Sequence, residues 1–116
     1  MSDDDPEFAY LTTAGRKTGR AHTVELWYRR VGDTVWFIAG QPSDWVANLL
    51  ADPAASVRIG DGTELAGTGR VEAGDAHGAA RARRLLAERY QGWQQGQPLS
   101  SWATTGLAVA VDLKPG

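Results

Sequence analysis

Hydrophobic and polar residues alternate along most of the chain, and this period of two predicts a protein built mainly from β-strands. One run, 34–40, is apolar at nearly every position, so we expect a strand that is covered on both faces. The dipeptides Gly32-Asp33 and Asp61-Gly62 are turn signals that would join neighbouring strands as hairpins. The predicted strands are 8–13, 22–30, 34–40, 55–60, 63–73 and 106–113.

Two other segments have the spacing of amphipathic helices. The first follows Ser43, which suits an N-cap, and ends before Pro53, which cannot continue a helix. The second begins near Asp75 and runs to about Gln91. The buried stripe of the first would consist of Trp45, Val46, Leu49 and Leu50, and that of the second of Ala79, Ala82, Leu86 and Tyr90. The second helix would face water with Arg81, Arg84 and Glu88.

The order β-β-β-α-β-β-α-β, joined mostly by hairpins, predicts a mainly β (α+β) fold: a small six-stranded antiparallel barrel with two helices packed outside. Gly67 and Gly69 lie within the predicted strand 63–73 and indicate a bulge or a close backbone approach there. The sequence contains no internal repeat and no linker, so 1–116 is expected to form a single domain. Its acidic start, 1–7, is expected to be disordered.

Composition and charge remove several classes of function. The chain has 0 cysteines, which excludes disulfides, thiolate metal sites and cysteine nucleophiles. Its 2 histidines, His22 and His77, are too few for a multi-histidine centre, so we expect no metal. The net charge of -2 gives no general attraction to nucleic acid. Because the chain shows neither a signal-peptide pattern nor a transmembrane segment, we expect a cytoplasmic protein.

One predicted hairpin loop, 15–20, concentrates three cations, a hydroxyl and two glycines. An arginine fork, a lysine charge and backbone amides freed by glycine together suit an anion such as a phosphate. The loop is not a nucleotide P-loop, because Arg16 separates Gly15 from Lys17 and a strand follows instead of a helix. The same composition is also typical of a solvated basic turn, and both interpretations stay open. The residues of this loop are Gly15, Arg16, Lys17, Thr18, Gly19 and Arg20.

The chain has 5 tryptophans, and such side chains either fill a core or border a planar ligand. For most of them core packing is the simpler interpretation. Trp27 is the exception, because the alternation places it on the face opposite Leu26 and Tyr28. No serine has histidine and acidic partners at a recognisable spacing, so a Ser-His-Asp hydrolase has no support. If the chain is an enzyme, its reactive atoms would therefore belong to a bound cofactor.

Three stretches carry a resemblance to a known family. The first is 11–19, Leu-Thr-Thr-Ala-Gly-Arg-Lys-Thr-Gly, and the second is 44–53, which contains Trp-x-x-Asn-Leu-x-x-x-Pro. The third is looser and runs from Tyr90 and Trp93 through Trp102 to the last strand. In this order they resemble the deazaflavin-dependent nitroreductases, actinobacterial split-β-barrel oxidoreductases that use coenzyme F420.

The resemblance implies a split barrel, similar to the FMN-binding ones, that transfers a hydride from reduced F420 to a quinone, a nitro compound or an activated alkene. In that family the basic loop holds the coenzyme's phosphate and acidic tail, a role that would fall on 15–20 and chiefly on Arg16, Lys17, Thr18 and Gly19. The family's deazaflavin pocket would correspond to Trp27, Ala39, Gly40 and Ser43. Tyr90 and Trp93 would close over a small-molecule substrate.

The chain also departs from the family pattern. Only Gln41-Pro42 stands where a longer insertion is common, His22 stands where many members have an arginine, and Trp27 replaces a frequent tyrosine. Two alternatives therefore stay open. One is an FMN-binding oxidoreductase related to pyridoxamine-phosphate oxidases, and the other is a non-enzymatic barrel that binds deazaflavin or an apolar ligand such as a fatty acid. Monomer and homodimer are both compatible with the sequence.

Overall fold

The computed structural model describes residues 7–39, 43–72, 79–94, 96–100 and 106–114. Its strands are β1 Ala9–Ala14, β2 Ala21–Leu26, β3 Arg29–Val31, β4 Thr34–Ala39, β5 Ala54–Ile59, β6 Leu65–Glu72 and β7 Leu107–Leu113. Its helices are α1 Asp44–Ala51 and α2 Ala79–Gln91. Neither helix is long and apolar enough to cross a membrane, and this holds for the described ranges only. Of the start expected to be disordered, only Glu7 falls within them.

The strands form one antiparallel sheet in the order β2-β1-β5-β6-β7-β4-β3. The two edge strands, β2 and β3, are consecutive in the chain and are separated only by Trp27 and Tyr28. Three peptide links span at most about 11 Å, so the sheet has to curl until its edges approach each other. This curled sheet confirms the predicted split barrel.

The prediction of six strands is wrong by one, because 22–30 is two strands and not one. β2 pairs with β1, whereas β3 pairs with β4 at the opposite edge, so the chain changes partner between Leu26 and Arg29. The alternation of apolar residues continues through the change, since the side chains of Leu26 and Tyr28 both pack into the same core cluster. Periodicity therefore could not reveal the break, which depends on neighbours distant in sequence.

Strand β4 is covered on both faces, as its apolar run predicted. Val35, Phe37 and Ala39 point into a cluster on the concave side of the sheet, and this cluster also receives the apolar side chains of α1. Trp36 and Ile38 point the other way and pack with α2. The concave side is filled by side chains from several strands, including Leu11, Phe37, Val57, Val109 and Val111, all fully buried.

Helix α1 packs closely on the sheet, and one of its predicted contacts is wrong. Trp45, Val46 and Leu49 are buried as expected, but Leu50 is 70% exposed. The fourth buried side chain of α1 is that of Asn48 instead, because the side of the helix that carries Asn48 faces β1. The close approach expected near Gly69 is confirmed, since a Cβ there would lie 2.6 Å from Leu49 Cδ2.

Helix α2 ends at the gap between the edge strands, which we call the seam (Trp27 and Tyr28). The Tyr90 ring stacks on Trp27 with centroids 4.7 Å apart. Its hydroxyl accepts a hydrogen bond from the Tyr28 amide at 3.1 Å and lies 3.0 Å from the Tyr28 carbonyl and 2.7 Å from that of Glu7. Having one proton, it donates to one of these carbonyls at a time. Tyr90 thus bonds to the backbone of the seam and of Glu7.

We expect Tyr90→Phe to lower the free energy of unfolding by about 1–2 kcal/mol, because the variant loses the partly buried hydrogen bond between the Tyr28 amide and the Tyr90 hydroxyl. Urea denaturation would measure this. Tyr10→Phe is the matched control: its hydroxyl donates to Glu25 on an exposed face, so its loss should change stability by less than about 0.5 kcal/mol. Equal effects of the two substitutions would contradict this role of Tyr90.

The same tyrosine should give the stability a dependence on alkaline pH. Burial raises the pKa of Tyr90 above its ordinary value. A group whose pKa is raised in the folded state contributes stability that is present below the unfolded value, near ~10, and is lost as pH rises through the folded value. Raising the pH above ~10 should therefore lower the free energy of unfolding more in the wild type than in the Tyr90→Phe variant, as denaturation at each pH would measure. Parallel pH profiles would rule out this contribution.

Candidate functional site

The basic loop 15–20 forms the hairpin between β1 and β2 and is held by its own backbone. The Gly15 amide donates to the Arg20 carbonyl at 2.7 Å, and the Gly19 amide donates to the Gly15 carbonyl at 2.8 Å. Gly19 has a φ of 73°, a conformation that glycine adopts without a steric penalty. The Thr18 hydroxyl oxygen accepts from the Arg20 amide at 3.3 Å. These bonds give the loop a defined shape.

Helix α1 fixes the loop from one side through Asn48, which is only 3% exposed. Its Oδ1 accepts from the Arg16 amide at 3.2 Å and from Arg16 Nη1 at 2.9 Å. Its Nδ2 donates to Thr13 Oγ1 at 3.3 Å, and the Thr13 side chain is itself buried. Asn48 therefore joins the end of β1 to the beginning of the loop.

The Arg16 guanidinium extends along the first turn of α1. Besides Asn48, it reaches the Asp44 carbonyl at 3.4 Å through Nη1 and Asp44 Oδ1 at 3.3 Å through Nη2. The Asp44 side chain is 93% exposed, so this ion pair is screened and contributes little to stability. The buried amide of Asn48 is the stronger partner.

A cleft of about 590 Å³ opens between the loop and α1, within the range of small-molecule sites. Lys17 and Arg20 are exposed on its rim, and neither side chain has an ion-pair or hydrogen-bond partner elsewhere in the described part of the chain. Val24 and Trp45 supply apolar surface. Its lining consists of Gly15, Arg16, Lys17, Thr18, Arg20, His22, Thr23, Val24, Asp44, Trp45 and Asn48.

Two backbone amides of the loop also remain available to a ligand. Those of Lys17 and Thr18 have no acceptor within the described ranges, whereas the amides of Gly15, Arg16 and Gly19 are all bonded. Free amides beside cations form an anion-binding arrangement. Nothing in the described ranges brings together three or more histidine, aspartate or glutamate side chains that could hold a metal ion.

The imidazole of His22 packs directly over the loop. A Cβ built on Gly15 would lie 2.8 Å from His22 Nε2 and 3.2 Å from the Arg20 carbonyl, so glycine is needed for this approach. His22 thereby adds an imidazole to the side chains of Arg16, Lys17 and Arg20 at the cleft.

The structure brings together part of the predicted site. Loop 15–20 lies at the cleft, and Ser43 directly precedes α1 without capping it through its side chain. Ala39 is buried in the concave cluster, and Gly40 lies outside the described residues. Trp27 and Tyr90 stack at the seam and do not line this cleft. Trp93 lines a different cavity, of about 700 Å³, beside the exposed face of α2.

Asp44, Asn48 and His22 are among the cleft residues that had no role in the sequence-based assignment. Asp44 and Asn48 belong to the stretch 44–53, which carries part of the family resemblance but predicts no role for either residue. One signal could have identified Asn48: it is a polar residue among the apolar positions of an amphipathic helix. Such a residue needs partners if it is buried.

One comparison with known proteins shows the family, and another shows the fold. The profile of a family described as F420H(2)-dependent quinone reductase matches residues 4–114. A search of curated proteins finds no match.

Three solved structures illustrate the likeness of fold. A conserved hypothetical protein from Mycobacterium tuberculosis is 19% identical with a TM-score of 0.79, covering 99% of this chain and 82% of that one. A structure described as an F420-H2 dependent reductase is 22% identical with a TM-score of 0.67, covering 96% and 98%. A FAD-binding protein from Mesorhizobium loti is 17% identical with a TM-score of 0.69, covering 94% and 82%.

The packing of His22 on Gly15 leads to a prediction. Gly15→Ala should destabilise the protein by about 0.5–1.5 kcal/mol, because the added methyl group forces the ring of the exposed His22 side chain to move. Most of this loss should disappear when His22 is also replaced by alanine, giving a coupling of at least about 0.5 kcal/mol in a double-mutant cycle from urea denaturation.

Gly19→Ala provides the control for that cycle. A Cβ at Gly19 meets nothing within 4 Å, so its cost comes from the positive φ alone. That cost, about 1–2 kcal/mol, should be the same with and without His22. Additive behaviour of Gly15→Ala with His22→Ala would contradict the contact.

Proposed function

This chain belongs to the family of F420H(2)-dependent quinone reductases, and from that premise we propose that it reduces a small quinone with F420H2 bound in the cleft between loop 15–20 and α1. The observation that carries this placement is the pair of exposed cations, Lys17 and Arg20, on the rim of a cleft of about 590 Å³. The family supports this class of acceptor, and the geometry of the loop supports this position of the coenzyme.

The donors at the loop fit the anionic part of the coenzyme. A phosphate carries several acceptor oxygens, and the loop offers the Lys17 ammonium, the Arg20 guanidinium and the amides of Lys17 and Thr18. Hydrogen bonds between ionised partners are shorter and stronger than neutral ones. The loop already holds its shape through its own backbone bonds, so little conformational entropy is lost when it binds.

The other side of the cleft suits the deazaflavin ring. Val24 on β2 and Trp45 on α1 present apolar surface there, and Trp45 is held edge-on against Phe37 in the core. A planar ring placed on this surface would be fixed at one end by its charged tail and at the other by apolar contact. Fixing both ends orients the ring toward a second molecule in the cleft.

When bound, the reduced deazaflavin supplies a hydride from a ring carbon. The two electrons and one proton of that hydride, with one further proton from solvent, convert a quinone to a hydroquinone. The chain's residues therefore need to hold and orient two molecules and exclude water from the contact between them. No nucleophile is required, which agrees with the absence of a side-chain triad in the sequence.

Two alternatives differ in how well they are supported. An FMN-dependent reaction is the second candidate, because a FAD-binding protein shares the fold and a flavin carries a similar ring and phosphate. A fatty-acid carrier is disfavoured, because the concave side of the sheet is filled by side chains such as Leu11, Phe37 and Val57, all fully buried.

Binding of F420 should depend on the two exposed cations. Lys17→Ala and Arg20→Ala should each raise the dissociation constant about 10- to 100-fold, because each removes a charged hydrogen-bond partner. The dissociation constant would be measured by titrating each variant with F420 and monitoring the quenching of tryptophan fluorescence. Arg58→Ala is the control, since Arg58 lies over Tyr10 on another face of the sheet. Equal losses for all three variants would argue against binding at the loop.

One set of assays can test separately which cofactor the protein binds and whether a quinone is the acceptor. We expect F420 to bind more tightly than FMN, and F420H2 to be oxidised rapidly by menadione in the presence of the protein. The reaction would be monitored by the increase in absorbance of the oxidised deazaflavin. Tight FMN binding without F420 binding would favour the flavin alternative, and binding without turnover of any quinone would refute the proposed acceptor.

A further inference from the structure

We propose that Asn48 is the positioning residue of the anion-binding loop and that Arg16 connects it to the loop without itself being a ligand of the coenzyme. The proposal rests on the function proposed above and assigns different tasks to the three cations of the loop. Lys17 and Arg20 contact the anion, whereas Arg16 keeps the loop in the shape that presents them.

The surroundings of Asn48 support the first half of this proposal. The residue lies on the buried side of a helix whose other buried side chains, Trp45, Val46 and Leu49, are apolar. An amide in such a position is unfavourable unless its polar atoms are bonded, and here both are. All its side-chain bonds go to Thr13 and Arg16, on either side of the point where β1 becomes the loop. Its role is therefore specific to the loop.

The contacts of Arg16 support the second half. Both terminal nitrogens of its guanidinium face α1, one toward Asn48 and Asp44 and the other toward the Asp44 carboxylate. Its backbone amide is bonded to Asn48 as well. Three of the five N–H donors of this guanidinium are engaged in those bonds. The side chains of Lys17 and Arg20 have no donor engaged within the described residues, so they offer an anion more free donors than Arg16 does. Binding is therefore expected to use the two free cations.

Asn48 and Asp44 make different contributions to this arrangement. The Asp44 carboxylate is almost fully exposed, so water and salt compete with its ion pair to Arg16. The Asn48 oxygen is shielded from water and bonds the backbone as well as the side chain. Loss of Asn48 should therefore loosen the loop, and loss of the Asp44 charge should barely do so.

Amide hydrogen exchange of the protein without coenzyme would test the positioning role directly. Asn48→Leu preserves the approximate size of the side chain but removes both hydrogen-bonding atoms. We expect exchange of the bonded amides of the loop, those of Gly15, Gly19 and Arg20 above all, to become about tenfold faster. Asn48→Asp retains oxygen acceptors and should restore protection. Asp44→Asn and Lys17→Ala should leave exchange near the wild-type rate. Thermal unfolding of each variant would verify that it is folded.

Titration of the same variants with F420 gives a second pattern. Asn48→Leu should weaken binding about tenfold together with its faster exchange. Lys17→Ala should weaken binding with exchange unchanged, which separates a ligand cation from a positioning residue. Asn48→Asp should restore the exchange protection but only part of the affinity, because its carboxylate adds a negative charge beside the site.

The outcomes distinguish this proposal from the function on which it rests. Failure of the wild-type protein to bind F420 would count against the proposed function. Unchanged loop exchange in a folded Asn48→Leu variant would overturn the positioning role. If that variant does not fold, Arg16→Met removes the guanidinium part of the same connection and keeps only the bond from the backbone amide. It should likewise accelerate exchange of the loop, and unchanged exchange there would overturn the proposal equally.

Discussion

The shortness of the connection between β2 and β3 is the constraint on which the rest of this structure depends. The two strands are at opposite edges of a seven-stranded sheet, yet only Trp27 and Tyr28 separate them. The sheet can satisfy both conditions only by curling. Curling leaves a concave side so narrow that Leu11, Phe37 and Val57 fill it. The ligand site that we propose is therefore at the rim, where the loop 15–20 meets α1.

The same constraint leaves a gap between the two edge strands, and α2 packs against it. The backbone of Tyr28 lies where the chain passes from β2 at one edge to β3 at the other, and backbone groups that are shielded from water need hydrogen-bond partners. The Tyr90 hydroxyl supplies both an acceptor and a donor there, and the Arg89 guanidinium lies over the two tyrosine rings. Helix α2 thus stabilises the seam as well as covering the convex face.

Local patterns predicted those features whose causes are local. The apolar run 34–40 indicated a strand covered on both faces, and Gly69 indicated a close approach, because both signals reside in the residues themselves. The break at Trp27 and Tyr28 left no such signal, since alternation does not depend on which strand is the neighbour. The exposure of Leu50 and the partners of Asn48 likewise depend on distant residues; Thr13 is 35 positions from Asn48.

The identity of residue 48 illustrates how positioning and charge can be reconciled in a small site. A buried aspartate would hold the Arg16 guanidinium at least as firmly as asparagine does, but its charge would act at short range in a poorly screened position and reduce the positive potential at the cleft. A neutral amide accepts the same two hydrogen bonds without that loss. The one acidic group that does contact Arg16, Asp44, is exposed to water, where its field is weakened. Arginine suits position 16, because the two terminal nitrogens of its planar guanidinium reach Asn48 and Asp44 at the same time. The single ammonium of a lysine would be less able to bond both. The loop can therefore be held rigidly by α1 while the charges of Lys17 and Arg20 remain available to an anion.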